Sequence, residues 1–308
     1  MQIYVGITDD RWFNFLANLN PTPDEVNFWR PKSQDQFRAI QPGELFLFKP
    51  HAPNNFIVGG GVFAHHKFFP IRLVWDTFLQ KNGAADFRAF SERIIGYRGA
   101  ERAHEPLGCT VLTQPFFWPR NMWLPMPTTW PRSGVMEGKR FDTTDPIGAR
   151  LWTDVQTRMH FARGAVPEAV SEPHQARYGE PRLITPRLGQ GAFRLEVTDA
   201  YMRRCAITGE RTLPALAACH IKPYSDSGPH QVNNGLLLRS DLHNLFDLGY
   251  LTVTHDYKVK VSRRIREEFE NGRHYYELDD RPLQVLPRDK EARPAQEFLE
   301  WHNGIFKG

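Results

Sequence analysis

The sequence has 308 residues, of which 41% are hydrophobic and 24% are charged. Because an ordinary domain has about 100 to 200 residues, two domains are expected. The composition is that of a soluble globular protein, and no apolar run reaches the roughly 20 residues needed to cross a bilayer. The net charge of +4 has the sign that neutralises phosphate groups, which permits a nucleic-acid partner without proving one.

Cysteine usage and the first residues bear on the cellular compartment. The cysteines Cys109, Cys205 and Cys219 include no C-x-x-C pair, which argues against a disulfide framework and a four-cysteine zinc site. The opening MQIYVGITDD has neither the basic nor the apolar segment of a secretory signal. The sequence therefore predicts a cytoplasmic protein with reduced thiols and no membrane partner.

The first block of the chain mixes strand and helix patterns, and a stretch rich in proline and glycine follows it. Strands are predicted at 3–7, 44–49, 57–64 and 109–112, and helices at 12–19, 71–83 and 87–95. Residues 164–191 have the composition of a linker. We therefore predict an α+β protein with domains at 1–163 and 192–308.

The segment from Cys205 to Tyr250 has clear signals for the ends of its strands and its helix. Its apolar runs, its polar loop and its helix signals predict, in order, a strand at 213–221, a loop at 222–234, a strand at 235–239 and a helix at 241–248. Ser240 is the expected N-cap of that helix, and Gly249 is its expected stop. The segment thus has the order strand, loop, strand, helix.

This order brings two histidines toward each other, because His220 ends the first strand and His243 lies in the first turn of the helix. Hydrolysis of a phosphodiester needs a base that activates water and a cation that stabilises charge on the phosphate. A neutral histidine suits the first task, since its unperturbed pKa is about 6.5. The pair therefore indicates a hydrolytic site with room for an ion.

His220, Asn234 and His243, with CAITG before them and HNLFDLGYL after them, resemble the HNH (ββα-metal) endonuclease family. The resemblance implies that His220 is the general base and that Asn234 braces the loop so that His220 points at the scissile phosphate. It also implies that His243 binds a divalent ion. Asn233 stands beside Asn234 and leaves a register alternative open.

Cys219 departs from the family pattern, because the position before the base often holds a metal-binding Asp or His. As a thiolate it would be a second metal ligand and would favour Mn²⁺, Ni²⁺ or Co²⁺ over Mg²⁺. Alternatively Cys219 packs in the core, as free cysteines commonly do, and the ion is Mg²⁺ or Mn²⁺.

Other polar residues of the segment have open roles. His230 and Asp226 lie in the predicted loop, where they either approach the site or stay in solvent. Lys222 and Arg239 are candidates for phosphate contacts, with plain surface charge as the alternative.

The first block supplies a candidate for target recognition. Its WR, PGELFLFK and GGGVFAHH stretches, followed by a helix with a tryptophan, are similar to the EVE domains of the PUA-like superfamily. The resemblance implies a β-barrel-type domain with helices that captures a flipped modified cytosine between aromatic walls. The implied pocket residues are Trp29, Trp75, Trp12, Ser33 and Asn27.

Both resemblances together predict a modification-dependent DNA endonuclease that cuts double-stranded DNA near 5-methyl- or 5-hydroxymethylcytosine. One HNH site cuts one strand, so a double-strand break needs a homodimer or two visits. The alternatives are an HNH nuclease acting on unmodified nucleic acid, and a non-catalytic DNA-binding protein with a degenerate HNH site.

Overall fold

A computed structural model describes residues 1–32, 35–131, 137–162 and 189–308. The chain divides into two compact units, Met1–Arg187 and Leu188–Gly308. Most of the predicted linker lies outside the described residues, and its last two residues, Gln190 and Gly191, begin a helix. Within the described ranges, no helix is long and apolar enough to span a membrane.

The first unit mixes strands and helices in the predicted order. In its described residues the elements are β1 Gln2–Thr8, α1 Asp10–Ala17, β2 Glu25–Arg30, β3 Leu45–Pro50, β4 Phe56–Ile57, β5 Gly59–Phe69, α2 Ile71–Phe78, α3 Phe87–Arg98, β6 Leu107–Phe117, β7 Leu124–Pro125, β8 Gly138–Asp142 and α4 Pro146–Ala162. The predicted strands and helices of this unit are confirmed, with shifted ends. The helix predicted at 71–83 ends at Phe78, because Leu79 has a φ of 46° and a 3₁₀ turn follows.

Six of these strands form one mixed sheet in the order β2-β6-β5-β3-β1-β8. β1 and β3 are parallel, and the other neighbours in the sheet are antiparallel. Every residue of the central strand β3 is buried, as expected for a strand covered on both faces. In the part of the chain that the structure describes, β2 and β8 are the sheet's two edges. The sheet is therefore open, and the barrel expected for this domain is not confirmed.

The second unit has the predicted strand, loop, strand and helix at its centre. Its elements are α5 Gln190–Ala200, β9 Leu216–His220, β10 Gly235–Arg239, α6 Ser240–Asp247, β11 Leu251–Val253, β12 Val259–Val261, α7 Arg264–Phe269, α8 Arg273–Tyr276 and α9 Gln296–Ile305. β9 and β10 are antiparallel, with His220 opposite Gly235 and Cys219 opposite Leu236. The predicted ββα order is confirmed.

The ends of α6 differ in part from the prediction. Arg239 is the N-cap, and Ser240 is the first helical residue; its hydroxyl donates to the Ala215 carbonyl at 3.0 Å. Ser240 as the N-cap was therefore wrong, because its side chain ties the helix to the turn before β9. Gly249 ends the helix as expected, since it adopts a left-handed φ of 73°.

Two helices from outside the ββα segment hold it in place. α5 packs so closely on the start of β10 that a Cβ at Gly235 would lie 2.5 Å from Cγ2 of Val197. On the other side, His302 of α9 is buried, stacks on Phe246 of α6 with ring centroids 3.6 Å apart, and contacts the Phe246 carbonyl through Nε2 at 3.0 Å. The ββα segment therefore lies between packed neighbours.

Candidate active site

Asn234 is fully buried at the end of the loop between β9 and β10. Its Oδ1 accepts a hydrogen bond from the backbone N–H of Lys222 at 2.9 Å, and its Nδ2 donates to the carbonyls of Lys222 and Pro229, both at 2.9 Å. The Oδ1 of neighbouring Asn233 is buried without a partner among the described residues. In this structure it is thus the Asn234 side chain that ties the two ends of the loop together.

His220 lies at the end of β9, and two other rings pack against it. Phe193 of α5 stacks on its imidazole with centroids 3.7 Å apart and planes 11° apart. Its Nε2 lies 2.8 Å from Nδ1 of His230, whose ring in turn stacks on Tyr224. His230 therefore approaches the site, which the sequence had left open.

The surroundings of His220 keep its ring neutral near pH 7. Burial is the main reason that its pKa falls to about 4; His230 and His243 act in the same direction, and the carboxylate of Asp247 partly offsets them. A neutral imidazole is the form that can accept a proton.

Three possible metal ligands converge where α6 meets β9. One donor atom each from Cys219, His243 and Asp247 lies within 4.8 Å of the other two. Nε2 of His243 is 3.2 Å from Oδ2 of Asp247, one helical turn away. The Cys219 thiol faces Asp247 as well, with Sγ 3.5 Å from Oδ1.

The two partners of His243 in this cluster differ in charge state. Burial and the negative charge of Asp247 raise the pKa of the Cys219 thiol well above its usual value, so Cys219 is protonated and donates to Asp247. Burial alone would raise the pKa of Asp247, but the hydrogen bond and charge of His243 and the bond from Cys219 lower it. Asp247 is therefore an ionised carboxylate.

A divalent ion fits this donor set. An imidazole and a carboxylate are suitable ligands for Mg²⁺ or Mn²⁺ when water completes the shell, and a deprotonated Cys219 would shift the preference toward softer ions. The Cys219 thiol is fully buried and also belongs to the cluster of possible ligands, so its burial is compatible with both alternatives for this residue. His243 and Asp247 are the pair best suited to hold the ion.

The remaining charged residues of the segment lie at the surface or in pairs. Nε and Nη2 of Arg239 donate to the two carboxylate oxygens of Asp241, at 2.7 Å each. Asp226 is exposed and accepts from the Ser225 hydroxyl at 3.1 Å. The main chain of Lys222 is bound to Asn234, and its side chain is partly exposed.

The first unit contains a separate cavity of about 310 Å³ with mostly aromatic walls. Its lining includes Tyr4, Trp12, Phe28, Trp29, Phe37, Phe46 and Tyr97, with the charged residues Asp9, Arg30, Lys32 and Glu137 among them. Oδ2 of Asp9 accepts from the Tyr97 hydroxyl at 2.5 Å. Although burial opposes it, this bond, the Trp12 N–H and the charge of Arg93 lower the pKa of Asp9, which is ionised.

The predicted pocket residues fall in different places. Trp12 and Trp29 line the cavity, and their indole N–H groups donate to the carbonyls of Asn27 and Asn82. Trp75 lies against α3 instead, where it packs on Phe87 and Phe90. Asn27 is fully buried and bonds through Nδ2 to the Asn82 side chain at 2.9 Å. Ser33 lies outside the described residues.

Comparison with known proteins agrees with the geometry of the second unit. A family model described as HNH endonuclease matches residues 205–254, which span β9, β10, α6 and β11. The match therefore falls on the segment that carries His220, Asn234 and His243, and it supports an endonuclease domain there.

Comparisons with solved structures and with curated proteins do not extend the assignment beyond the family match. A solved structure titled "Modification dependent TagI restriction endonuclease" aligns over 96% of this chain and 80% of that chain, at 13% identity and a TM-score of 0.28. At that score the likeness carries no argument. No curated protein matches the chain.

Sequence reasoning missed Asp247 among the possible metal ligands, and it missed several walls of the cavity, including Asp9 and Tyr97. Asp247 stands in the HNLFDLGYL stretch four residues after His243, and that spacing places the two side chains on one helical face. The four-residue spacing from His243 could therefore have identified Asp247 from the sequence. Asp9 and Tyr97 are 88 residues apart, and no local pattern joins them.

Proposed function

We propose that this protein is a divalent-metal-dependent DNA endonuclease in which His220 is the general base and His243 and Asp247 hold the ion. The observation that carries the proposal is the Asp247 carboxylate, which lies 3.2 Å from Nε2 of His243, beside the neutral His220 and inside a segment that matches an HNH endonuclease model. Base and ligands are therefore side by side, as phosphodiester hydrolysis requires.

The chain's residues have distinct tasks in the reaction. His220 takes one proton from a water molecule as the water oxygen forms its bond to phosphorus. The bond from phosphorus to the leaving oxygen breaks, and that oxygen receives a proton from solvent. A divalent ion, when bound, stabilises the negative charge that develops on the phosphate. Asn234 fixes the loop ends next to His220.

The finer proposal concerns the target. The aromatic cavity of the first unit has walls on which a flipped base can stack, and the ionised Asp9 can accept a hydrogen bond from an exocyclic amine such as that of cytosine. Stacking of about 1 to 3 kcal/mol per base offsets an unstacking cost of a few kcal/mol. We propose double-stranded DNA with 5-methyl- or 5-hydroxymethylcytosine as the substrate.

The test is digestion of three copies of one duplex, unmodified, methylated and hydroxymethylated, with Mg²⁺, Mn²⁺, Ni²⁺ or Co²⁺ and with a chelator. We expect cutting of the modified copies, no cutting with chelator, and a loss of roughly 100-fold or more in His220→Ala. The matched control is His255→Ala, since His255 is exposed in the turn between β11 and β12.

Each outcome separates the candidates. Equal cutting of all three duplexes would identify a nuclease that acts on unmodified DNA. Binding without cutting under every metal condition would identify a DNA-binding protein with a degenerate site. Undiminished cutting by His220→Ala would overturn the role of this histidine. The ratio of nicked to linear plasmid at rising protein concentration tests whether a homodimer makes double-strand breaks.

A further inference from the structure

The hydrogen bond between His220 and His230 decides which nitrogen of the base is available. We propose that His230 is a positioning residue that holds His220 with its proton on Nε2, so that Nδ1 is the nitrogen that receives the proton from water. This inference rests on the proposed nuclease function of His220. It assigns to His230 a task that the HNH pattern of His220, Asn234 and His243 leaves out.

The first step is the direction of the bond. Nε2 of His220 and Nδ1 of His230 are 2.8 Å apart, and between two neutral imidazoles one nitrogen donates and the other accepts. If His220 donates, its lone pair is on Nδ1 and can take a proton. If His220 accepts, its proton is on Nδ1 and that nitrogen cannot act as a base. A general base at this position therefore requires His230 to accept.

The second step is access to Nδ1. Nε2 is occupied by His230, and within the described residues Nδ1 of His220 has no hydrogen-bond partner. The group of possible metal ligands, Cys219, His243 and Asp247, includes neither histidine of the pair. The pair is thus separate from the ligands, and Nδ1 is the nitrogen left for water.

The third step is rigidity. Phe193 stacks on one histidine at 3.7 Å, and Tyr224 stacks on the other at 4.9 Å with planes only 8° apart. The residue before His230 is Pro229, and its carbonyl accepts from Asn234 at 2.9 Å. Asn234 therefore fixes the loop at the position that presents His230, and His230 in turn fixes His220. Rings clamped in this way keep one hydrogen-bond arrangement.

Two substitutions at one position test the acceptor. In His230→Asn, the side-chain oxygen takes nearly the place of Nδ1 and still accepts from His220. In His230→Phe, the ring that stacks on Tyr224 is retained and the acceptor is lost. We expect His230→Asn to cut DNA within about threefold of the wild-type rate, and His230→Phe to lose roughly 10-fold to 100-fold, as positioning partners of histidines commonly do.

A second measurement reads the tautomer directly in the unsubstituted protein. Nitrogen-15 NMR of histidine-labelled, metal-free protein distinguishes a ring protonated on Nε2 from one protonated on Nδ1, and His220→Ala assigns the signal. We expect Nε2–H for His220 in the wild type, and a mixture of both forms in His230→Phe.

The outcomes separate this inference from the proposed function. A His220 ring with its proton on Nδ1, or wild-type cutting by His230→Phe, overturns the role of His230 while the nuclease proposal stands. Wild-type cutting by His220→Ala overturns the nuclease role of His220, whatever the tautomer. Rescue by His230→Asn together with an Nε2–H signal in the wild type supports the inference, since a general packing defect would not follow the acceptor.

Discussion

The two units build their candidate sites in opposite ways. In the second unit, the proposed base, the loop brace and the possible metal ligands lie between Cys219 and Asp247, and short backbone elements bring them together. In the first unit, the cavity draws on residues from Tyr4 to Glu137, carried by several strands and helices. The first kind of site depends on one hairpin and one helix, and the second depends on the whole sheet.

The difference also extends to chemistry. The second unit places ionisable groups in contact, where His243 lowers the pKa of Asp247 and Asp247 raises the pKa of Cys219. The first unit surrounds an apolar space with aromatic rings and has two carboxylates among its walls, the partly buried Asp9 and the exposed Glu137. One arrangement is suited to moving protons, and the other is suited to binding a flat ring.

The largest effect should come from removing the carboxylate of the metal cluster. We expect Asp247→Asn to lower the cutting rate roughly a thousandfold, about 4 kcal/mol in the barrier, because the charge that attracts the ion is lost. Titration calorimetry with Mn²⁺ should show weakened binding. Asp256→Asn is the control, since Asp256 is exposed in the turn before β12. Tight Mn²⁺ binding by Asp247→Asn would exclude Asp247 as a ligand.

The second-largest effect should come from Asn234, which holds the two ends of the loop together, and it should be an effect on stability. Asn234→Ala removes three hydrogen bonds at a fully buried position and leaves backbone groups of Lys222 and Pro229 unpaired. We expect the free energy of unfolding to fall by about 2 to 4 kcal/mol in urea titrations. Asn233→Ala should change it by less than about 1 kcal/mol, because its buried Oδ1 has no partner in the described residues. Equal losses in the two variants would contradict this assignment.

Of two buried tryptophans in the first unit, only the one that lines the cavity should affect the preference for modified DNA. Trp29 and Trp75 are both buried, and only Trp29 is among the cavity walls. We expect Trp29→Leu to reduce the preference for modified over unmodified DNA by about 1 to 3 kcal/mol, measured by competition binding. Trp75→Leu should lower stability and keep the preference. The same loss in both variants would indicate a packing effect.

The smallest effect is a pH dependence shared by the units. Burial lowers the pKa of His66 to about 3 and that of His302 to about 4, both below the unfolded value of about 6.5. Between those values the unfolded chain binds more protons, so the free energy of unfolding falls as the pH drops through this window. Each group contributes at most about 1.4 kcal/mol per pH unit.

Substitution separates the two contributions. His302→Asn should reduce the slope of the unfolding free energy between pH 6 and pH 5, and His66→Asn should do so independently. The exposed His255 is the control position, and His255→Asn should leave the slope unchanged. A wild-type slope in His302→Asn would show that this histidine does not titrate on unfolding.

The sequence predicted the parts of the molecule that depend on neighbours along the chain. Strand, loop, strand and helix were readable around His220 and His243, because turn residues and apolar runs mark them. The N-cap of α6 was not, since Ser240 bonds to Ala215, which is 25 residues away. Trp75 and Asn27 show the same limit in the first unit. Their tertiary partners, α3 and Asn82, and not their aromatic or polar character, decide where they point.

The helices α5 and α9, which flank the ββα segment, determine how much of the chain a domain exchange between proteins must include. The family match covers 205–254, yet Phe193, which clamps the base, precedes it and His302, which contacts α6, follows it. A chimera made from the matched residues alone would carry the base and ligands without their supports. If the proposed nuclease is transferred to another protein, the part to exchange is therefore the whole unit from Leu188 to Gly308.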